Sequence, residues 1–113
     1  MAMEFEFTDE RFRAMVPKDA AIQHLATGFL FTEGPVWTGD ALLFSDIPNR
    51  RIVSYRLEEE GPVVTTFRHE SRPNGLTLDG QGRLIACEYG DRAISRTNLT
   101  TGAKTILVDR YQG

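Results

Sequence analysis

The chain has 113 residues, of which 41% are hydrophobic and 26% are charged, and its net charge is −3 at pH 7. A chain of this length and composition is one globular domain or part of one. Its 13 basic and 16 acidic residues form no basic stripe, which argues against a nucleic-acid partner. No apolar run approaches the ~20 residues that cross a bilayer, so no membrane partner is expected either.

The N-terminus and the cysteine count indicate the cellular compartment. The opening MAMEFEFTDERFR is acidic and has no charged-then-apolar signal pattern. Cys87 is the only cysteine, which excludes an internal disulfide and fits a reducing compartment. We therefore expect a cytoplasmic protein in which Cys87 is a small core residue.

Residues 1–28 are predicted to form a lead-in segment ahead of the sheets. Residues 9–28 lack the alternation of apolar and polar positions that marks strands, and Pro17 limits any helix to a short one. The stretch AIQHLATG, residues 21–28, is a candidate edge strand.

The remainder, residues 29–113, contains an internal repeat, the first feature to seek in any sequence. EGPVWTG (33–39) aligns with NGLTLDG (74–80) at an offset of 41 residues, so that Trp37 meets Leu78. After one inserted residue the offset becomes 42. The matched pairs are then Leu42 and Leu84, Leu43 and Ile85, Asp46 and Glu88, Arg50 and Arg92, Ile52 and Ile94, and Val64 and Ile106.

Each copy of the repeat contains four short strand-like runs separated by turn signals. The runs are GPVWT, ALLFSD, RIVSYRL and PVVTTFR in the first copy, and GLTLD, RLIACEY, AISRTNL and KTILVDR in the second. Four strands at a period near 42 are typical of one blade of a β-propeller. The alternative is an open meander or half of a β-sandwich, but a sandwich has no reason to repeat every four strands.

The predicted fold is therefore all-β, with two four-stranded antiparallel propeller blades packed face to face. Three apolar positions of the first blade and their counterparts in the second are predicted to be buried: Leu43, Ile52, Val64, Ile85, Ile94 and Ile106.

The repeat also pairs two polar residues, because Glu33 and Asn74 occupy the same place in their units. The innermost strand of each blade lines the central channel, so these side chains should lie near one mouth of it. Both offer oxygen ligands, which hard divalent cations prefer. The alternative is that Glu33 caps the chain locally or forms a local salt bridge.

Three long motifs carry a resemblance to a known family. FTEGPVW, LLFSDIPNRRI and RPNGLTLDGQGRLIACEYGDRAISR resemble the senescence marker protein/gluconolactonase/luciferin-regenerating enzyme family, and are most similar to its bacterial gluconolactonases. The resemblance runs from about Leu25 to the last residue. It implies a six-bladed β-propeller that hydrolyses sugar lactones with one divalent cation (calcium, zinc, magnesium or manganese) in the channel.

The resemblance also implies roles for individual residues. Glu33 matches the first metal ligand, and Arg72 and Asn74 match the pair that holds the oxygens of the lactone substrate. Glu88 matches a Cys-Glu-His-Gly run near the substrate, but Tyr89 stands here in place of the histidine. No catalytic residue is assigned within the chain, since the further ligands are expected beyond residue 113.

Two expectations concern the chain as a whole. The first is a metal-dependent lactonase, and the alternative is a propeller without enzymatic activity that docks other molecules. Two blades are fewer than the four to eight that close a propeller, so we expect a fragment that is inactive by itself. Its open sheet edges invite self-association.

Overall fold

The computed structural model describes residues 5–113 as one short helix followed by eight strands. Helix α1 spans Glu10–Arg13. The strands are β1 (Thr32–Trp37), β2 (Leu42–Asp46), β3 (Arg51–Glu58), β4 (Gly61–Arg68), β5 (Pro73–Leu78), β6 (Leu84–Glu88), β7 (Ala93–Thr97) and β8 (Lys104–Val108). In the described residues, no helix is long and apolar enough to span a membrane.

The strands form two antiparallel sheets, with β1–β4 in blade 1 and β5–β8 in blade 2, each in chain order. This confirms the prediction of two four-stranded propeller blades. The eight predicted runs coincide with the eight strands to within two residues at every end. The local sequence dictates the strands because β-branched and aromatic residues fill them while Gly, Pro, Asn and Asp interrupt them.

Matched backbone geometry confirms the repeat. The amide of Ile47 donates a hydrogen bond to the carbonyl of Phe31 at 3.0 Å, and the amide of Tyr89 does the same to Arg72 at 3.0 Å. Arg50 and Arg92, at equivalent turns, have φ values of 52° and 51°. Two non-glycine residues rarely share this left-handed conformation by chance.

The core lies between the two blades. Leu43 and Ile52 of blade 1 pack against Leu76, Leu84 and Ala86 of blade 2, and all five are buried. Burial of each large side chain in this cluster contributes about 1.5–3 kcal/mol at most.

The burial prediction is confirmed for Leu43 and Ile52 and is wrong for the other four residues. Val64, Ile94 and Ile106 are 43%, 37% and 44% exposed, and Ile85 is only partly buried. Cys87 is exposed as well, so its assignment to the core is also wrong. The cause is geometric. Blade 1 is covered on the face that carries Leu43 and Ile52, whereas blade 2 is covered on the opposite face, so Ile85 and Ile94 are left uncovered.

Ile85, Cys87 and Ile94 lie on one face of blade 2, as the pairing of Cys87 with Ile94 shows. The equivalent face of blade 1, with Leu43 and Ile52, is the one that blade 2 covers. We call the uncovered face of blade 2 its free face. The opposite face of blade 1, which carries Leu42, Phe44 and Tyr55, is the free face of blade 1.

The outer strands follow a different offset from the one predicted. Tyr55 pairs with Val64 in blade 1, whereas Thr97 pairs with Lys104 in blade 2. Tyr55 to Thr97 is 42 residues, but Val64 to Lys104 is only 40. The β3–β4 hairpin is longer by two residues, so Val64 and Ile106 are not true counterparts. Val64 instead lies on the free face of blade 1, beside Tyr55.

The lead-in segment is largely irregular, as predicted. Asp9 caps helix α1 by accepting a hydrogen bond from the amide of Arg11. The edge strand predicted at residues 21–28 is absent and that prediction is wrong, because this segment is irregular and lines a groove of blade 1 without pairing with a strand of its sheet. Phe29 anchors it by packing edge-to-face on Phe44, with ring centroids 5.0 Å apart.

Candidate functional site

The inner strands β1 and β5 lie side by side where the candidate site residues begin. The hydroxyl of Ser45 donates a hydrogen bond of 2.6 Å to the carbonyl of Asn74. A Cβ at Gly34 would lie 2.5 Å from that same carbonyl oxygen, so only glycine allows this approach. The backbone that follows Glu33 is therefore packed directly against the backbone of Asn74.

Both inner strands carry an irregularity at this point. The register of β1 shifts between Glu33 and Val36, and the register of β5 shifts between Pro73 and Leu76. A β-bulge of this kind re-aims side chains and is common beside active sites. The sequence signal was available, since Gly34 and Gly75 share one position of the repeat.

Glu33 is exposed at the start of β1. One of its oxygens, Oε2, accepts a hydrogen bond of 2.9 Å from the amide of Gly34. This bond is the local capping that the sequence analysis gave as an alternative role, while Glu33 forms no ion pair within the described residues. The carboxylate lines a groove on the free face of blade 1 together with Pro35, Leu42 and Phe44.

Asn74 and Arg72 are both exposed on blade 2. Asn74 lines a cleft on the free face of this blade, whereas Glu33 lines the groove of blade 1, so the structure does not bring the two side chains into one cleft as the sequence analysis expected. The aliphatic stem of Arg72 lies over Gly90, where a Cβ would come 2.8 Å from the Arg72 Cβ. Gly90 therefore leaves the room in which Arg72 extends beside β5.

Glu88 lies inside blade 2 and is 4% exposed. It accepts hydrogen bonds from Lys104 Nζ at 2.8 Å and from Ser71 Oγ at 3.2 Å, while Oε2 has no partner in the described residues. Burial acts to raise the pKa of this carboxyl, but Lys104, Ser95 and Ser71 outweigh it and hold the pKa below its ordinary value. Glu88 thus fixes Ser71, the residue that precedes Arg72. The predicted contact of Glu88 with substrate stays a prediction.

Asp46 is the equivalent carboxylate of blade 1 and has a role that the sequence did not reveal. Its side chain is fully buried and accepts hydrogen bonds from the amides of Leu30 and Phe31 at 3.1 and 3.4 Å. Asn49 and Arg51 bind its other oxygen at 2.8 and 3.1 Å. Burial would raise the pKa of Asp46, and these hydrogen bonds lower it further than burial raises it.

Asp46 and Glu88 hold equivalent segments, because Leu30 in front of Glu33 corresponds to Ser71 in front of Asn74. The alignment of Asp46 with Glu88 was the signal that could have revealed this role. Their partners lie 16 and 17 residues away in the sequence, which no local pattern indicates.

A comparison with protein families decides the relationship. Residues 31–113 match the model of the SMP-30/gluconolactonase/LRE-like region. The chain belongs to this family. The match confirms the resemblance carried by the three motifs.

Individual relatives agree with the family. The chain is 29% identical, over 91% of its length, to a gluconolactonase of Zymomonas mobilis subsp. mobilis, and covers 33% of that protein. Among solved structures, a gluconolactonase of Xanthomonas campestris is 36% identical with a TM-score of 0.66, over 75% of this chain and 28% of the other. A putative gluconolactonase is 31% identical with a TM-score of 0.80, over 94% of this chain and 37% of the other. The chain spans about a third of the length of these relatives.

In this gluconolactonase-like chain, Glu33 is the one residue predicted to be a metal ligand. No group of three His, Cys, Asp or Glu side chains able to hold a metal comes together in residues 5–113. Tyr89, which replaces the histidine of the family motif, is 49% exposed and lines the cleft with Asn74 and Glu88. Its hydroxyl is thus available to a molecule bound in that cleft.

Proposed function

We propose that this chain forms part of a metal-dependent hydrolase of sugar lactones that acts in the cytoplasm. The family and the relatives named gluconolactonase support the reaction. The observation that carries the proposal is the contact of the two inner strands, which places the backbones of Glu33 and Asn74 together through Gly34 and Ser45. Arg72 projects from the same segment as Asn74.

The oxygen ligands that this chain offers are of the type that a hard divalent cation prefers, but they are too few to complete its coordination. Glu33 offers an exposed carboxylate, which suits calcium, magnesium or manganese and is accepted by zinc, while Asn74 lines the other cleft and is left to the substrate. A complete site takes about six oxygens, including waters. When bound, the cation would polarise the lactone carbonyl and activate water.

The side chains of the chain itself would orient the substrate. Arg72 can bind the ring oxygens or the developing carboxylate with two parallel hydrogen bonds. The Asn74 amide can donate to a hydroxyl while its oxygen accepts. Asp46 and Glu88 hold the segments in front of the two inner strands, which would keep these groups in position during the reaction.

The experiment is a chimera in which residues 29–113 replace the matched segment of the Xanthomonas campestris gluconolactonase. Hydrolysis of glucono-lactone is measured with and without a chelator, and then with the metal restored. The proposal predicts turnover that the chelator abolishes and added metal restores. A folded chimera without turnover would favour the docking role instead, and turnover insensitive to chelation would exclude the metal.

The chain of 113 residues by itself is expected to be inactive. With Glu33 as the single carboxylate donor among its predicted ligands, it should hold a divalent cation only weakly, at millimolar concentrations. Titration calorimetry with calcium and zinc tests this directly, and turnover by the monomeric chain would contradict it.

A further inference from the structure

The buried carboxylates of the two blades take their partners from different places. In blade 1, Asn49 and Arg51 bind Asp46 from the turn and the strand that follow it. The equivalent positions of blade 2, 42 residues later, are Asp91 and Ala93. An ionised aspartate and an alanine have no side-chain donor to offer a carboxylate. The buried carboxylate of blade 2 therefore lacks the two local donors that its counterpart has.

Lys104 takes the place of both donors. Its Nζ lies 2.8 Å from Glu88 Oε1 and 3.6 Å from Asp91 Oδ2, and its side chain is 24% exposed. It reaches Glu88 from strand β8, 16 residues away in the sequence. The same place on the outer strand of blade 1 is occupied by Val64, so the lysine is particular to blade 2.

The carboxylate that this lysine neutralises holds the segment in front of the inner strand β5. Glu88 accepts a hydrogen bond of 3.2 Å from Ser71 Oγ, and the Ser71 amide donates to the carbonyl of Arg50 at 3.1 Å. The carbonyl of Arg72 accepts a hydrogen bond of 3.0 Å from the amide of Tyr89. These three bonds fix the backbone from which the Arg72 side chain extends.

The guanidinium of Arg72 is left without a carboxylate partner among the described residues. Arg72 is exposed, its stem lies over Gly90, and it takes part in none of the ion pairs found there. The nearby carboxylate of Glu88 is already occupied by Lys104. A free guanidinium on a fixed stem is what a forked contact with substrate oxygens requires.

We propose that Lys104 is a positioning residue of the substrate site. By neutralising Glu88 it keeps Ser71 bound, and so it fixes the backbone of Arg72 for contact with the lactone. This inference rests on the proposed function. Without the lysine, the buried carboxylate would take up a proton or draw in water, because an unpaired buried charge is costly. Either change would loosen Ser71, and the binding of substrate would then have to order Arg72.

The first test follows backbone amides in the chain itself. Lys104→Met keeps an unbranched apolar stem but removes the charge. Amide exchange, followed by nuclear magnetic resonance, should become about tenfold faster at Ser71 and Tyr89 relative to Ile47. The amide of Ile47 makes the equivalent bond to Phe31 in blade 1, so it reports any general loss of stability.

The second test uses the chimera with the Xanthomonas campestris gluconolactonase. In it, Lys104→Met should raise KM for glucono-lactone about tenfold and lower kcat much less, since the change disturbs the binding of substrate and not the reacting atoms. Arg56→Met is the matched control, because it removes the cation of a surface ion pair with Asp40. This control should leave both KM and kcat unchanged.

A rescue variant separates positioning from a general structural role. Ala93 pairs directly with Glu88 across β6 and β7, in the register that Arg51 has to the carboxylate of blade 1. Adding Ala93→Arg to Lys104→Met therefore supplies the local cation that blade 1 already has. The exchange rates and KM should both return towards their unaltered values. Lys104→Gln, which keeps a hydrogen-bond donor, replaces Lys104→Met if circular dichroism shows that the latter unfolds.

Either of two results would overturn the proposal. One is an exchange rate in Lys104→Met that rises equally at Ser71, Tyr89 and Ile47, or at none of them. The other is an active chimera whose KM is unchanged by Lys104→Met or stays raised after Ala93→Arg is added. An unaltered chimera without turnover would instead count against the lactonase proposal, and the exchange rates would still decide the role of Lys104.

Discussion

At the scale of single residues, two buried carboxylates hold the candidate site in place. Asp46 binds the backbone in front of Glu33, and Glu88 binds the serine in front of Arg72. Neither residue needs to contact a substrate to affect activity. The sequence could show that they are equivalent, but it could not show that they are buried or which distant groups they bind.

Replacing Asp46 with Asn should destabilise the chain strongly. The change leaves Arg51 without its charged partner and weakens the bonds to the amides of Leu30 and Phe31. Loss of one partner of a buried ion pair costs about 3 kcal/mol. The free energy of unfolding in urea measures this effect. Asp40→Asn, which removes an ion pair with Arg56 at the surface, is the control and should cost much less. Equal losses for the two variants would contradict the anchoring role.

The same carboxylates predict a loss of stability in acid. The pKa values of Asp46 and Glu88 lie below their ordinary values of 3.8 and 4.5 in the folded chain. The unfolded chain therefore binds more protons in this range, and stability rises with pH there. The contribution should be complete above about pH 5 and should disappear as the pH falls through the folded values.

Urea unfolding at pH 7, 5 and 3 checks this dependence. The loss between pH 5 and pH 3 should be smaller in Asp46→Asn than in the unaltered chain, because one of the two titrating groups is gone. An unchanged slope in that variant would show that other carboxylates cause the acid sensitivity.

At the scale of the elements, the inner strands β1 and β5 carry the candidate site. The sequence predicted all eight strands, because alternation and turn residues are local signals. It missed the register of the outer strands, since a hairpin two residues longer changes no local pattern. It also placed Ile85 and Ile94 in the core, since matched positions share a face but only one blade of the pair has that face covered.

Gly34→Ala should separate the two inner strands. The new Cβ would lie 2.5 Å from the Asn74 carbonyl oxygen, and φ at this position is 60°. The backbone conformation and the clash together should cost about 2 to 4 kcal/mol. Gly75→Ala is the matched control, since open space surrounds that position. Thermal unfolding of the two variants compares them, and a Gly34→Ala chain as stable as Gly75→Ala would show that β1 and β5 are not in close contact.

At the scale of the whole molecule, the chain is a stack of two propeller blades with one packed contact and two open faces. The repeat predicted the stack, and the long motifs predicted the family. Neither could predict which face of each blade would be covered. Matched positions of the repeat are apolar in both blades, and only the way the blades stack decides which of them are buried. The predicted roles of Glu33, Arg72 and Asn74 stay predictions at this scale, because a complete site requires more ligands than these two blades carry.

The central claim is that Glu33 is a metal ligand of a lactone hydrolase, and Glu33→Gln tests it most directly. The variant is made in the chimera with the Xanthomonas campestris gluconolactonase, beside Glu59→Gln in the β3–β4 turn as the control. Glutamine keeps the size of the side chain but removes its charge, so metal affinity should fall at least tenfold and lactone turnover at least a hundredfold, with the melting temperature of the metal-free protein unchanged. Glu59→Gln should match the unaltered chimera in all three quantities. Full turnover by a folded Glu33→Gln chimera at the same metal concentration would contradict the claim.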